Sequence, residues 1–213
     1  MSKEIVLKSN SPRRKEILLR EGYKFIVKPQ DIDEVMDKNQ TPYENTKRVA
    51  LLKAEKNKEE DYGKIIIGCD TIVTLDGVIY GKPKDRADAY RMLKTFSGRC
   101  QEVASGVAII YKEHLYNFYV VSKVYFKKLT DEDINSYLDT DEPYDKAGSY
   151  AIQGIGRRLI SHYEGELDNI IGLPIKEIKE VLDYIYFLNH KRVLRKKILF
   201  HTKLFFDFKS FLW

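Results

Sequence analysis

The fold of this 213-residue chain is decided by residues 64–83, which read KIIIGCDTIVTLDGVIYGKP. Three consecutive isoleucines followed by Gly68 favour a strand buried on both faces, because isoleucine has poor helix propensity and a high preference for strands. Asp70 and Thr71 are then expected immediately beyond the end of this strand. Further along, Asp76-Gly77 between two apolar runs predicts a tight hairpin turn.

Asp70 is the residue of this stretch that calls for an explanation. It stands between two strongly apolar runs, where an ionised carboxylate is costly unless it has a partner. Lys82 follows the hairpin and is able to return close to it. Two interpretations are open: an aspartate that caps its own turn, or a rigidly held carboxylate that serves as a general base or metal ligand.

Length and composition indicate a globular chain with a core of its own. Hydrophobic residues make up 43% and charged residues 32%, which is typical of a soluble folded protein and not of a disordered one. Cys69 and Cys100 have no CxxC spacing, which argues against a disulfide scaffold and a zinc site and fits a reducing compartment. Without a secretory signal or an apolar stretch of membrane-spanning length, we expect a cytoplasmic protein.

The formal net charge of +5 comes from the end of the chain. Residues 189–213 carry seven basic residues against Asp207 alone, so residues 1–188 have a formal charge of −1. Global charge therefore gives little support for nucleic-acid binding by residues 1–188. The basic and aromatic segment 189–213 is open to several interpretations: an extension of the last helix, a contact for a partner or an anionic membrane surface, or a poorly ordered end.

The N-terminal sequence predicts a strand at residues 4–8 that leads through a tight turn into a helix. Ser11 is a good N-cap and Pro12 suits the first helical position. The free N–H groups of the helix start, together with the hydroxyls of Ser9 and Ser11, form a potential anion site. Arg13 and Arg14 oppose the helix dipole unless an anion is present. They are either solvated surface arginines or a phosphate clamp.

Further elements follow from caps and apolar periodicity. Three acids, Asp31, Asp33 and Glu34, belong either to a solvated loop or to a divalent-metal site. A capping box at Thr41 begins a helix that runs to about residue 58, with Val49, Ala50 and Leu52 facing inward. Lysines on this helix, Lys53 and Lys56, are more typical of snorkelling side chains than of catalytic ones. The remaining predicted elements are a strand at 23–27, a helix capped by Asp85 and stopped at Gly98, antiparallel strands at 102–111 and 116–126, a helix at 130–138, a strand at 159–163 and a helix at 175–188.

The polar segment 139–156, which is rich in turn formers, is typical of a functional connection. Together with the other motifs it completes a pattern that resembles the Maf-type nucleoside triphosphate pyrophosphatases from about Ile5 to Leu188. The motifs that carry the resemblance are Ser9-x-Ser11-Pro12-Arg13-Arg14, Asp33-Glu34, Lys53-Ala54, Gly68-x-Asp70-Thr71, Gly81-Lys82-Pro83, Ser97-Gly98-Arg99, Asp145-Lys146-Ala147-Gly148 to Gln153-Gly154, and Gly172-Leu173-Pro174. Any one of them alone would be weak evidence.

The resemblance implies an α/β fold with a mixed, elongated central sheet flanked by helices, and two lobes around a nucleotide-binding cleft, as in Maf and inosine-triphosphatase-like proteins. It implies hydrolysis of a nucleoside triphosphate to the monophosphate and pyrophosphate with a divalent metal cation, Mg²⁺ or Mn²⁺. Residues 1–188 would form the pyrophosphatase domain. Residues 189–213 would be an extension of unknown role, since the family pattern does not require them.

The resemblance also implies roles for individual residues. Asp70 would be the general base, with Lys53, Lys82 and Glu34 as further catalytic residues, and Asp70 and Glu34 as metal ligands. Ser9, Arg13 and Arg14, together with the two lysines, would hold phosphates. Arginine at position 13, threonine at position 71 and glutamine at position 153 look like the dTTP/UTP subtype. Selection for uracil or thymine needs a buried amide that pairs with the base edge, and Gln153 can both donate and accept hydrogen bonds. The substrate and specificity set is Ser9, Arg13, Arg14, Thr71 and Gln153.

Two alternatives remain at this point. The same fold is compatible with another nucleotide preference, such as the 7-methyl-GTP type, although positions 13, 71 and 153 count against it. A different class of protein would bind nucleic acid or a membrane surface through residues 189–213. The expected partner is a small-molecule nucleotide with no requirement for DNA or RNA and no membrane span, and assembly as a homodimer is left open.

Overall fold

The computed structural model describes residues 4–188 of the chain. Residues 4–175 belong to one compact unit and residues 176–188 to another. The basic and aromatic segment 189–213 lies outside the described residues, and with it the hypothesis of a nucleic-acid or membrane contact. In the part of the chain that is described, no helix has the length and apolar character needed to cross a membrane.

Seven strands and six α-helices make up the described chain, in the order βαβαββαββαβαα. The strands are β1 (Ile5–Leu7), β2 (Phe25–Val27), β3 (Ile65–Leu75), β4 (Val78–Tyr80), β5 (Cys100–Tyr111), β6 (His114–Phe126) and β7 (Ile160–Glu164). The helices are α1 (Pro12–Arg20), α2 (Pro42–Glu55), α3 (Arg86–Phe96), α4 (Asp131–Leu138), α5 (Leu167–Ile171) and α6 (175–188).

All seven strands belong to one mixed sheet with the order β2-β1-β3-β5-β6-β7, and β4 pairs with β3. Strand β1 pairs parallel with both β2 and β3. The pairs β3–β5, β5–β6 and β6–β7 are antiparallel. The predicted mixed α/β class is confirmed. Strands β5 and β6 pair over their full length because a two-residue turn joins them, as expected for sequential antiparallel neighbours.

Strand β3 is longer than predicted, and this changes the setting of Asp70. The strand runs without interruption from Ile65 to Leu75, so the expectation that Asp70 lies beyond a strand end is wrong. Its partner β5 pairs with it continuously from Ile65 to Thr74 and places Gly106 opposite Asp70. This long antiparallel ladder outweighs the local preference for a turn. Asp70 is therefore held in the middle of a central strand, 6% exposed.

The other edge of β3 is paired only at its two ends. Ile65–Ile67 pair with β1, and Val73–Leu75 pair with β4. Within the described chain, no strand pairs with residues 68–72 on this edge. Strand β1 ends here because the chain turns at Ser9 into α1. This gap in the sheet edge exposes Asp70 and its neighbours to a cavity and determines where the site lies.

Helix α2 packs very closely on the sheet beside this gap. A Cβ atom on Gly68 would lie 2.3 Å from the carbonyl oxygen of Ala50, and one on Gly106 would lie 2.3 Å from that of Thr46. Only glycine permits such an approach between helix and strand backbones. Ala50 and Ala54 are fully buried in this contact. Leu52, which was expected to face inward, is 37% exposed, so that prediction is wrong.

The local signals for turns and caps are otherwise confirmed. Asp76 (φ 53°) and Gly77 (φ 76°) form the predicted hairpin turn between β3 and β4. Ser11, Thr41, Asp85 and Thr130 cap the helices that follow them. The side chain of Thr41 accepts from the N–H of Glu44, which is half of the predicted capping box, whereas Thr130 and Asp133 form both halves of one. Helix α2 ends at Glu55, before the predicted residue 58. Helix α5 was not predicted. Of the apolar positions predicted to line one face of α6, Ile178, Leu182 and Ile185 are buried and Val181 is half-buried.

Candidate active site

A cavity of about 880 Å³ lies beside the gap in the sheet edge. It is lined by residues from β3, the start of α1, the loop before α2, the hairpin end and the segment 142–153. Eight of the nine site residues predicted from the sequence line it: Arg13, Arg14, Glu34, Lys53, Asp70, Thr71, Lys82 and Gln153. The ninth, Ser9, is buried behind this wall. The fold thus brings to one place residues spread over 140 positions of the chain.

At the centre of the site, one lysine joins two carboxylates. Lys53 Nζ lies 2.8 Å from Asp70 Oδ1 and 2.7 Å from Glu34 Oε1. Asp70 lies two residues after Gly68 on β3, so both face helix α2. Because α2 approaches closely at Gly68, Lys53 on this helix reaches Asp70. Its side chain is only 11% exposed, so it is not a snorkelling lysine. Asp70 Oδ2 has no hydrogen-bond partner among residues 4–188 and is left to interact with a ligand or water.

Arg14 is held by the protein at four points. Its Nε donates to the carbonyl oxygen of Gly172 (2.9 Å), and one terminal nitrogen donates to Ser9 Oγ (3.0 Å) and to the carbonyl oxygen of Cys69 (2.8 Å). The other terminal nitrogen donates to Thr71 Oγ1 (3.0 Å). A guanidinium group has five N–H donors, so one is left for a ligand. Cys69 lies in the gap of the sheet edge, and Arg14 supplies the donor that a neighbouring strand would have given.

Arg13 is placed differently from Arg14, although the two are adjacent in sequence. Its side chain is 38% exposed, and its ion pair with Asp145 spans 3.8 Å. Asp145 also receives a hydrogen bond from Lys146. Partial burial alone would raise the pKa of the Asp145 carboxyl, but Lys146 and Arg13 outweigh this effect and lower that pKa. Arg13 therefore remains the more available of the two arginines for an anionic ligand.

Two lysines complete the cationic lining of the cavity. Lys82 is exposed and has no hydrogen bond or ion pair within the described chain. Its loop is fixed because the N–H of Gly148 donates to the carbonyl oxygen of Gly81 at 3.0 Å. Lys146, whose side chain is 17% exposed, donates to the carbonyl oxygen of Glu142 at 2.9 Å. An anion in the cavity would thus meet Arg13, Lys82 and Lys146, which suits a polyphosphate.

Thr71 faces the opposite side of the sheet from Asp70, because successive strand residues alternate. Its Oγ1 accepts from Arg14, lies 2.9 Å from Ser105 Oγ and 3.3 Å from the carbonyl oxygen of Gly172. The neighbouring Cys69 thiol is fully buried, which raises its pKa. It packs with its sulfur 3.4 Å from the same Gly172 oxygen, and it is therefore neutral and unreactive at neutral pH.

The expectation of a buried amide at position 153 is wrong, since Gln153 is exposed at the rim of the cavity. Its amide has no hydrogen-bond partner among the described residues. The backbone around it is tightly held. The carboxylate of Glu142 accepts from the N–H of Ile155 (3.0 Å) and of Gly156 (2.7 Å). Tyr137 Oη accepts from the N–H of Ala151 at 3.2 Å. The amide of Gln153 is thus presented to the cavity on a fixed loop.

Two oxygen donors of the site suit a divalent cation. Asp70 Oδ1 and Glu34 Oε1 share one positively charged partner, Lys53 Nζ, and carboxylate oxygens are the ligands that Mg²⁺ and Mn²⁺ prefer. In residues 4–188 no three His, Cys, Asp or Glu side chains are grouped as a metal site would require. A donor set of two carboxylates fits Mg²⁺, which is usually held by one or two carboxylates together with substrate phosphates.

Sequence reasoning did not single out three residues that the structure places in or behind the cavity wall. Lys146 was quoted only as part of a motif, although a lysine beside an aspartate in a polar connection was a usable signal. Glu142 and Tyr137 carried no signal, because their contacts are with backbone N–H groups at residues 151–156.

Taken together, a mixed sheet with a gap beside its central strand, a buried carboxylate–lysine pair and three cations around one cavity define the class of the protein. It is an α/β protein with a cationic cavity whose lining suits an anionic ligand.

Comparison with known proteins agrees with this class and identifies the family. Residues 4–185 match the family described as Maf-like protein, and the chain belongs to this family. It is 44% identical over 180 residues to the dTTP/UTP pyrophosphatase of Geotalea uraniireducens, covering 84% of this chain and 93% of that protein. It is 41% identical over 187 residues to the dTTP/UTP pyrophosphatase of Clostridioides difficile, covering 87% and 96%.

The fold also resembles that of a HAM1 protein from Coxiella burnetii. The likeness has a TM-score of 0.50 at 16% sequence identity and covers 87% of this chain and 99% of that structure. At this level of identity the likeness concerns the fold alone.

Proposed function

We propose that the protein hydrolyses nucleoside triphosphates, with dTTP and UTP preferred, to the monophosphate and pyrophosphate. The observation that carries the proposal is the position of Asp70. Its carboxylate is fixed by Lys53 through one oxygen, while the other is free of protein partners within residues 4–188, at a cavity lined by Arg13, Lys82 and Lys146. Membership of the Maf-like family and the names of the relatives support the reaction and the nucleotides.

In this reaction a water oxygen attacks the α-phosphorus, and the bond from that phosphorus to the oxygen bridging to the β-phosphorus breaks. Asp70 Oδ2 accepts the proton that the water loses. Lys53, 2.8 Å from Asp70 Oδ1, holds the carboxylate in its orientation. The pyrophosphate leaves with the bonding electron pair, and Arg13, Lys82 and Lys146 stabilise the charge that develops on it.

A divalent cation would be held by Asp70 and Glu34, and when bound it would neutralise phosphate charge and polarise the phosphoryl oxygens. Glu34 is 52% exposed and belongs to the loop before α2. This loop is held against α2, because Arg48 and Lys56 donate to the carbonyl oxygens of Val35 and Asp31. Glu34 is thereby kept beside Asp70 and Lys53 without being buried.

Selection for uracil and thymine is assigned to Gln153, which can donate and accept hydrogen bonds along the base edge. A base with the wrong pattern would leave the amide unpaired, which is how polar sites reject competitors. We assign Thr71 a supporting part, because its hydroxyl is already engaged by Arg14 and Ser105. Arg14 and Ser9 hold the phosphate-facing wall, where Arg14 keeps one N–H donor for a ligand, and Arg13 is the arginine more available to phosphate.

The test is a panel of pyrimidine and purine triphosphates with Mg²⁺ or Mn²⁺, in which pyrophosphate and orthophosphate are both measured. Pyrophosphate from dTTP and UTP, with little from purine nucleotides, is the expected result. Orthophosphate as the only primary product would mean cleavage at another bond and would overturn the mechanism. Equal turnover of all nucleotides would overturn the assignment of Gln153.

We place the activity in residues 1–188, since the family match ends at residue 185. A chain that ends at Leu188 should keep the hydrolysis rate of the full chain. Loss of RNA or vesicle binding upon this truncation, with hydrolysis retained, would make residues 189–213 an accessory segment; loss of hydrolysis would overturn the domain assignment. A cytoplasmic location remains a prediction, and assembly as a homodimer stays open.

A further inference from the structure

We propose that Glu142 determines base selectivity without touching the nucleotide, by fixing the loop that presents Gln153. This inference rests on the proposed function, because it requires that Gln153 reads the base. Glu142 lines the same cavity and belongs to a short 3₁₀ segment, Glu142–Asp145. It lies eleven positions before Gln153 in the chain.

The carboxylate of Glu142 holds the backbone immediately after Gln153. Its Oε1 accepts from the N–H of Ile155 at 3.0 Å and its Oε2 from the N–H of Gly156 at 2.7 Å. These N–H groups begin a 3₁₀ helix, Ile155–Leu159, and have no partner within that helix. Hydrogen bonds from neutral N–H groups to a carboxylate are among the stronger ones in proteins. Each carboxylate oxygen accepts from one backbone N–H of this loop, which makes Glu142 a positioning residue in this proposal.

Gly154, next to Gln153, shows how closely the carboxylate approaches. Its φ is 90°, a region that favours glycine, and a Cβ atom at this position would lie 2.1 Å from Glu142 Oε1. The loop backbone and the carboxylate therefore fit together only with glycine at 154. Residue 153 has no freedom to move without displacing this contact.

Tyr137 holds the other side of the loop. It is fully buried, its Oη accepts from the N–H of Ala151 at 3.2 Å, and its burial and the neighbouring Glu142 raise its pKa. The loop is thus held on both sides of Gln153: Tyr137 accepts from the N–H of Ala151 before it, and Glu142 accepts from the backbone N–H groups that follow it. Ile152, 6% exposed, anchors the segment between them. The amide of Gln153 is left as the exposed group of a clamped loop.

The experiment replaces Glu142 by glutamine and compares nucleotides. A glutamine amide offers one acceptor and an NH₂ donor to two backbone N–H donors, so at least one contact is lost. We expect kcat/KM for dTTP and UTP to fall about 10- to 100-fold, as for loss of one charge-assisted hydrogen bond. For purine triphosphates we expect a change below about 3-fold, since they do not use Gln153. Glu44→Gln, on an exposed i,i+3 pair with Lys47, is the matched control and should behave as the unaltered protein.

A double variant separates positioning from general loss of structure. If Glu142 acts through Gln153, then E142Q in a Gln153→Ala background should leave the nucleotide preference of Gln153→Ala unchanged. Equal losses for all nucleotides, or additive losses in the double variant, would overturn the inference while leaving the pyrophosphatase activity established. No pyrophosphate from any nucleotide with the unaltered protein would instead refute the proposed function. If E142Q does not fold, Tyr137→Phe takes its place, with the same expected loss of selectivity.

Discussion

Arg14 and Arg13 are adjacent in the chain, but the structure predicts different effects when each is replaced by lysine. Arg14→Lys should lower stability, whereas Arg13→Lys should raise the KM for nucleotide. Lysine at position 14 keeps the positive charge but replaces a planar five-donor group by a single nitrogen. That one nitrogen cannot take the positions of the three Arg14 nitrogens that now contact Ser9, Cys69 and Gly172 at 2.8–3.0 Å and Thr71 at 3.0 Å. We expect at least two of the four hydrogen bonds to be lost.

The magnitude follows from the nature of these bonds. A hydrogen bond with a charged partner contributes about 1.5–3 kcal/mol, so Arg14→Lys should lower the free energy of unfolding by about 3 kcal/mol. For a domain of this size that corresponds to a fall in Tm of about 6–12 °C. Arg13→Lys alters one exposed ion pair of 3.8 Å, which contributes at most about 1 kcal/mol to stability. The KM for nucleotide should nevertheless rise in Arg13→Lys.

The assay is urea unfolding followed by far-ultraviolet circular dichroism, with steady-state kinetics on the same preparations. Arg14→Lys should show reduced stability and a reduced kcat, because Thr71 and Cys69 on β3 lose their support next to Asp70. Arg13→Lys should show unchanged unfolding and an increased KM. Arg14→Lys with full stability and an increased KM would refute the reasoning, since Arg14 would then be a phosphate ligand like Arg13.

Three further predictions concern the centre and the frame of the site. Asp70→Asn should abolish pyrophosphate release while the unfolding curve stays that of a folded protein; full activity in this variant would remove Asp70 from the mechanism. Gly68→Ala should destabilise the protein by about 2–3 kcal/mol and reduce kcat. The added Cβ atom would lie 2.3 Å from the carbonyl oxygen of Ala50, so helix α2 and with it Lys53 would have to move away from Asp70. Native stability of this variant would contradict the close packing of α2. Asp61 is fully buried; burial alone would raise its pKa, but Lys28 and Lys8 outweigh burial and lower it from 3.8 to about 2. The ionised Asp61 carboxylate therefore contributes about 2 kcal/mol to the free energy of unfolding above about pH 4. This contribution is lost as the pH falls from about 4 through about 2. Urea unfolding of Asp61→Asn between these pH values should lack that fall, and an unchanged pH profile would contradict the assignment.

Much of the fold was predictable because its signals are local. The hairpin at Asp76-Gly77 needs only two residues with positive φ. Ser11 and Thr130 cap the helices that begin immediately after them. The isoleucines at residues 65–67 are β-branched, which favours a strand over a helix. In each case the physical cause lies within a few residues of the effect.

The same holds for the composition of the site but not for its geometry. Eight of the nine predicted residues line one cavity, and they were found through short motifs such as Gly68-x-Asp70-Thr71. That Lys53 contacts both Asp70 and Glu34 was not predictable from spacing. It depends on how closely α2 approaches β3, which a distant glycine, Gly106, helps to permit.

The sequence by itself determined the succession of strands and helices, the turns and the caps, and its motifs carried the family resemblance that implied the α/β class and the residues for phosphate chemistry. Only the tertiary structure decided that Asp70 lies within a continuous strand, because its partner strand β5 lies more than thirty residues further along the chain. It also decided that Arg14 supports the site, since its acceptors come from residues 9, 69, 71 and 172. Contacts between residues far apart in the chain depend on packing, and packing is settled only when the sheet and its helices are assembled.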